Sequence, residues 1–227
     1  VTASTRSLPL ADLPAWAHYA DAPSGNTLGA LVAAARASNR NEDVVPSLLT
    51  FLNGSGNWKA AQHLSLLCLR DDQLAYADYF SHRALELSGG DAFARITRAR
   101  VLWERRLPLA VLHETSILRA QARRVRPRKR RRLLQAEIGE LNVKAYCYVA
   151  DLEHADPWIL GVRRRGGATI ECWVQLLFAA RHADHLAHWE LASFVLAPHF
   201  DKLGARPKAV VLRGLQYGLL RVLEARR

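Results

Sequence analysis

Apolar positions recur at intervals of three and four along almost the whole chain, and the alternation of a half-buried strand is absent. Leu28, Leu31, Val32 and Ala35 share one face over residues 26–37, which predicts a helix. Asn41-Glu42-Asp43 then starts a second helix, acidic in its first turn as the helix dipole prefers. It runs through Val45, Leu48, Leu49 and Leu52 and stops at Asn53-Gly54-Ser55-Gly56. Residues 58–69 form a third. Asp71-Asp72 caps a fourth that reaches Leu87 and ends at Gly89-Gly90, and Asp91 caps a fifth over residues 92–106. Leu107-Pro108 opens a sixth, Pro127 punctuates it, and helix resumes over 128–153. Asp156-Pro157 starts a short turn or helix that reaches Arg163-Arg164-Arg165-Gly166-Gly167, and three more helices follow over 169–183, 184–199 and 207–225. The pattern predicts an all-α protein of about ten to twelve helices with short connections.

Charge changes the picture, because it is not spread evenly. The net +11 arises from 32 basic and 21 acidic residues, and only five of the basic residues are lysine. Residues 1–90 hold six basic and eight acidic side chains. Within the remainder, Arg119, Arg123, Arg124, Arg126, Arg128, Lys129, Arg130, Arg131 and Arg132 follow one another with no carboxylate between Glu114 and Glu137. These nine charges account for most of the basicity. Guanidinium forks suit phosphate and carboxylate, and such a run repels itself unless it is solvated or faced by an anion. Arg119, Arg123, Arg126 and Arg130 are spaced to share a helix face that follows phosphates, while residues 128–132 cover every face. Arg163, Arg164 and Arg165, followed by two glycines, form a second candidate contact. The other occupants of such a surface are an acidic protein partner, a nuclear-import receptor, or solvent alone.

Aromatic side chains that could stack on bases are Trp58, Trp103, Trp158, Trp173, Trp189, Tyr146 and Tyr148. Most fall on apolar faces, so core packing is their default role. Trp158, beside Pro157 and close to the second arginine cluster, is the best stacking candidate. His182, His185 and His188 are three apart and form the candidate metal site, though H-E-x-x-H is absent and carboxylates are sparse around them. Cys68, Cys147 and Cys172 lie far apart in apolar helical patterns, which predicts buried free thiols in a reducing compartment. Without a C-x-x-C pair, the chain has no zinc ribbon, and Asn53-Gly-Ser55 is a chance glycosylation sequon. No G-x-S-x-G, no phosphate-binding loop and no dinucleotide fingerprint occurs. The expectation is a non-catalytic protein with no cofactor. No apolar run approaches the roughly 18 residues that span a bilayer.

A period overlies the helices. Ala77 and Ala84 lie seven apart with Tyr79-Phe80 between them, Leu64 precedes Ala77 by thirteen, and Leu85-Glu86-Leu87 and Gly89-Gly90 follow. This unit, residues 58–91, resembles the tetratricopeptide repeat, a two-helix unit of about 34 residues with small residues where its helices cross. Residues 92–125 read as a second copy, with Ala99 and Leu102 in register but Val111, Thr115 and Leu118 replacing small and aromatic residues. Residues 26–56 are more similar to a pentatricopeptide repeat, through the Asn-Thr-Leu opening, the helix after Asn41-Glu42-Asp43 and the glycine-containing exit. The resemblance implies stacked antiparallel helix pairs in an α-solenoid, an irregular helical bundle being the other architecture. It divides the chain into an N-terminal extension (1–25), helical repeats (26–125), and a basic segment with C-terminal repeats of the same array (126–227). Such arrays present a long concave surface and work by binding.

Together these features predict a helical-repeat scaffold of an organellar ribonucleoprotein, such as a mitochondrial ribosome or RNA-processing complex, that holds RNA phosphates and neighbouring proteins. The chain contains no methionine and starts at Val1, which suggests a processed product and points to the mitochondrial matrix, the cytoplasm being the alternative. The competing roles are a protein–protein adaptor for an acidic partner, and an accessory subunit of a membrane complex whose arginines face anionic lipid.

Overall fold

The computed structural model describes residues 9–165 and 169–224, with side chains at 164–165 and 220–224 outside the description. Among the described residues are twelve α-helices, two 3-10 segments and no strand. The chain forms two compact units, residues 1–105 and 106–227.

The first unit holds α1 (Pro14–Asp21), α2 (Gly25–Ala37), a 3-10 turn (Asn41–Asp43), α3 (Val44–Ser55), α4 (Trp58–Arg70), α5 (Leu74–Leu87) and α6 (Ala92–Glu104). Local chemistry sets most of these ends. Ser24 and Thr27 form a reciprocal capping box on α2, Asn57 caps α4 and Asp91 caps α6. Gly56 closes α3 at φ 62°, in the left-handed region that glycine enters without a Cβ clash. Asp71 and Asp72 do not cap α5, contrary to expectation. Asp71 ends α4, Asp72 sits at φ 56°, and α5 starts only at Leu74. A short polar side chain tolerates that left-handed turn, so the pair makes the corner rather than the cap. Helix α1 precedes the first helix that periodicity predicts, because eight residues are too few to display the period.

Small residues carry the α4–α5 packing. Ala61, Ser65, Ala77, Ser81 and Ala84 are all fully buried, and the Ser65 hydroxyl donates to the Ala77 carbonyl at 2.9 Å. Arg98 and Arg105 both pair with Asp78 and tie α6 to α5. Tyr19, Leu31, Leu48 and Leu64 form the centre of this unit's core. There Tyr19 Oη lies 2.9 Å from His63 Nδ1, a buried polar pair inside an apolar cluster.

The second unit holds α7 (Pro108–Ala122), α8 (Arg128–Tyr148), α9 (Leu152–Arg165), α10 (Ile170–His182), α11 (Leu186–Leu196), a 3-10 segment (Ala197–Lys202) and α12 (Ala205–Glu224). Helix α8 packs against α7, α9 and α10, and α11 packs against α10 and α12. The helix expected over 128–153 is broken after Tyr148, where Ala150 takes φ 59° and turns the chain into α9. Neither glycine nor proline marks that corner, which is why the pattern runs on through it. Pro157 lies inside α9 rather than at its start. A proline there removes the N–H that would bond the Glu153 carbonyl. At the α11–α12 contact, Gly214 sits directly against Ser193 and Trp189. Leu176, Leu177, Ala180, Ala192, Leu196 and Val211 are fully buried in this unit's own core. No helix among the described residues is long and apolar enough to cross a membrane.

Candidate functional site

The basic run does not form the single helix face that its spacing predicts. Arg119 occupies the last turn of α7, Arg123 ends that helix, Arg124 and Arg126 lie in the connection, and Arg128 starts α8. Proline has no N–H and pushes the residue before it out of helical geometry, so Arg126-Pro127 separates the two helices. Arg128, Lys129, Arg130, Arg131 and Arg132 are helical, in the first turns of α8. Eight of the nine side chains are exposed and Arg131 is half-buried.

Several cations elsewhere in the chain have carboxylate partners. Arg40 reaches Asp12 and Asp43 at 2.7 and 3.0 Å, and Lys144 reaches Glu171 and Glu140 at 2.7 and 3.0 Å. Burial works against the Lys144 charge, yet Glu171 and Glu140 hold its pKa above the ordinary lysine value. None of the nine cations of the run has a carboxylate partner among the described residues. The first turn of α8 also lacks an acid. Its helix dipole presents partial positive charge at the end that carries five of these cations, so the arrangement opposes itself until an anion arrives.

Next to the run lies a groove of about 860 Å³ formed by one face each of α7, α8 and α9. Helices α7 and α9 both pack on α8, which makes α8 the floor and the other two the walls. Successive helices joined by short connections run antiparallel. The C-terminus of α7, the N-terminus of α8 and the C-terminus of α9 therefore lie at the same end. That end carries the basic run and exposed Arg163, with Trp158 midway along α9; the side chains of Arg164 and Arg165, and Gly166-Gly167, lie outside the described residues. Across the groove, the Arg119 guanidinium stands 5.3 Å from the centroid of the half-buried Trp158 ring. At the far end Tyr146 stacks on His154, with centroids 5.9 Å apart and planes 22° from parallel. His154 also bonds Asp151 at 2.9 Å, which raises its pKa above the usual histidine value. Hydrogen bonds join the α7 wall to the floor: the Thr115 hydroxyl is 2.8 Å from Asn142 Oδ1, and Asn142 Nδ2 donates to the Ile138 carbonyl at 2.9 Å.

The three histidines are not brought together. His185 and His188 touch ring to ring with centroids 4.0 Å apart, and His188 Nε2 bonds Asp156 of α9. His182 lies elsewhere, in a recess of about 620 Å³ with Phe178, Arg181, Arg206 and Pro207. No group of three or more metal-ligating side chains occurs among the described residues. Trp103, Trp173 and Trp189 are buried in the cores, which leaves Trp158 in the groove. Tyr148 is half-exposed at the end of α8, and Trp58 is half-buried against the first core. Cys147 and Cys172 are buried free thiols and Cys68 is half-buried. Burial pushes the Cys147 thiol up to about 12, far from a reactive thiolate.

The linear sequence does not disclose the meeting of Arg119 with Trp158, 39 positions apart, or the Tyr146–His154 stack. Neither does it disclose the placing of Arg206 over the Phe178 ring at 5.3 Å. Helical pairing of 108–122 with 128–148 and 152–165 is the signal that would have found the first two. No protein-family model, no curated protein and no solved structure matches this chain.

Proposed function

We propose that this protein is a non-catalytic, tetratricopeptide-like helical scaffold that binds RNA through its phosphates. The observation that carries the reading is the nine-cation segment, exposed and without carboxylate partners, at one end of the α7–α8–α9 layer. Arginine-rich surfaces of this density gain affinity by releasing the counterions condensed on a nucleic-acid backbone. A polyanion also relieves the repulsion within the run and the unfavourable dipole at the start of α8. The fully buried small residues between α4 and α5 support a stacked helix-pair architecture, in which binding surfaces rather than pockets do the work.

Fluorescence-anisotropy titration of a labelled RNA over a range of salt concentrations tests the reading. Each neutralised phosphate of a single strand contributes about −0.7 to the slope of log K against log salt. Replacing Arg128, Lys129, Arg130, Arg131 and Arg132 by alanine is therefore expected to flatten the slope by up to about 3.5. Absence of RNA binding by the unaltered protein at low salt refutes the proposal.

A further inference from the structure

We propose that the α7–α8–α9 groove seats an unpaired nucleobase against Trp158, so that the protein selects single-stranded RNA over duplex. This inference rests on the phosphate-binding reading above and specifies which form of RNA it takes. Three features of the groove carry it. The first is position: Arg119 and Arg123 of the basic run themselves line the groove, at the end of the helical layer that also carries Arg163. A backbone held there has its bases within reach of the groove mouth. The second is the surface inside. Trp158 is half-buried against the core, which fixes its ring, and the Arg119 guanidinium lies over it at 5.3 Å. An indole face and a guanidinium plane are the two surfaces on which splayed bases stack.

The third feature is room. Gly139 on the floor and Gly161 on the α9 wall carry no side chains, and the volume of about 860 Å³ exceeds what a single base needs. A duplex cannot use this arrangement, because its bases are stacked on one another and their faces are closed. Phosphate contacts alone do not favour the single strand, whose charge density is the lower of the two; an aromatic wall beside those contacts does.

The test compares a labelled ten-nucleotide single strand with a sixteen-base-pair RNA duplex, in the unaltered protein and in three variants. The unaltered protein is expected to bind the single strand more tightly than the duplex. Trp158→Leu keeps an apolar side chain but removes the ring, and is expected to lose roughly tenfold in single-strand affinity, the scale of one base–aromatic stack. Its salt slope and duplex affinity should stay unchanged. Trp158→Phe keeps a π face and is expected to restore most of the loss, which separates stacking from a general folding defect. Gly161→Leu fills the groove with Trp158 in place and should mimic Trp158→Leu. Equal affinity for the two RNA forms, or single-strand binding indifferent to both Trp158→Leu and Gly161→Leu, overturns the inference while leaving phosphate binding intact. Failure of the unaltered protein to bind either RNA overturns the phosphate reading and this inference with it.

Discussion

Replacing Arg128 and Lys129 by glutamate reverses the charge in the first turn of α8, where the free protein carries five successive cations and no acid. A charge of the wrong sign at an exposed helix terminus costs about 0.3–1 kcal/mol, and one of the right sign gains a similar amount. Two reversals sum to a range of about 1–4 kcal/mol, and solvent exposure of both side chains places the expectation near its lower end, about 1–2 kcal/mol. In urea, with a slope of about 1–3 kcal/mol/M for a domain of this size, the midpoint should rise by roughly 0.5–1 M. The measurement is urea unfolding followed by circular dichroism at low salt and again in 1 M salt. At 1 M the Debye length is about 3 Å and the gain should largely disappear. Glutamate at exposed Arg213, in the body of α12, serves as the control for a simple drop in net charge. The doubly reversed variant should be more stable and bind RNA more weakly. A midpoint unchanged or lowered at low salt refutes the reasoning, because the run would then carry no electrostatic strain for an anion to relieve.

Two further predictions concern the cores. Burial, with a smaller push from Lys59, lowers the His63 pKa to about 4, so the unfolded chain takes up a proton there before the folded one does. Stability should be intact above pH 6.5 and fall as the pH drops toward 4. The full loss is about 3 kcal/mol at ~1.4 kcal/mol per pH unit; urea midpoints between pH 5 and 7 should show the upper part of that fall, and a His63→Gln profile parallel to the unaltered one refutes it. At Gly214, a Cβ would overlap the Ser193 hydroxyl and come within 2.8 Å of Trp189 Nε1. Gly214→Ala gains about 1 kcal/mol in helix propensity, yet overpacking should leave it destabilised by about 1–3 kcal/mol. Thermal unfolding would detect this, and Ser193→Gly in the same chain should recover part of the loss.

Periodicity and capping chemistry decide by themselves that this chain is helical, and where most of its helices stand. Asn57, Asp91 and Thr169 cap their helices as short polar residues do, and Pro108 opens α7. The position of the nine cations is likewise a property of the chain. Their surroundings are not. The corner at Ala150, the inclusion of Pro157 within α9 and the left-handed turn at Asp72 each arise where a helix end is settled by packing on its neighbours. Local periodicity reports which face of a helix is buried, but not against what, so it carries no information on which helix meets which. Only the packing of α7 and α9 on α8 brings Arg119 over Trp158 and gathers the basic segments beside one groove. The charge is written in the chain, and the recess it borders exists only because three antiparallel helices enclose it.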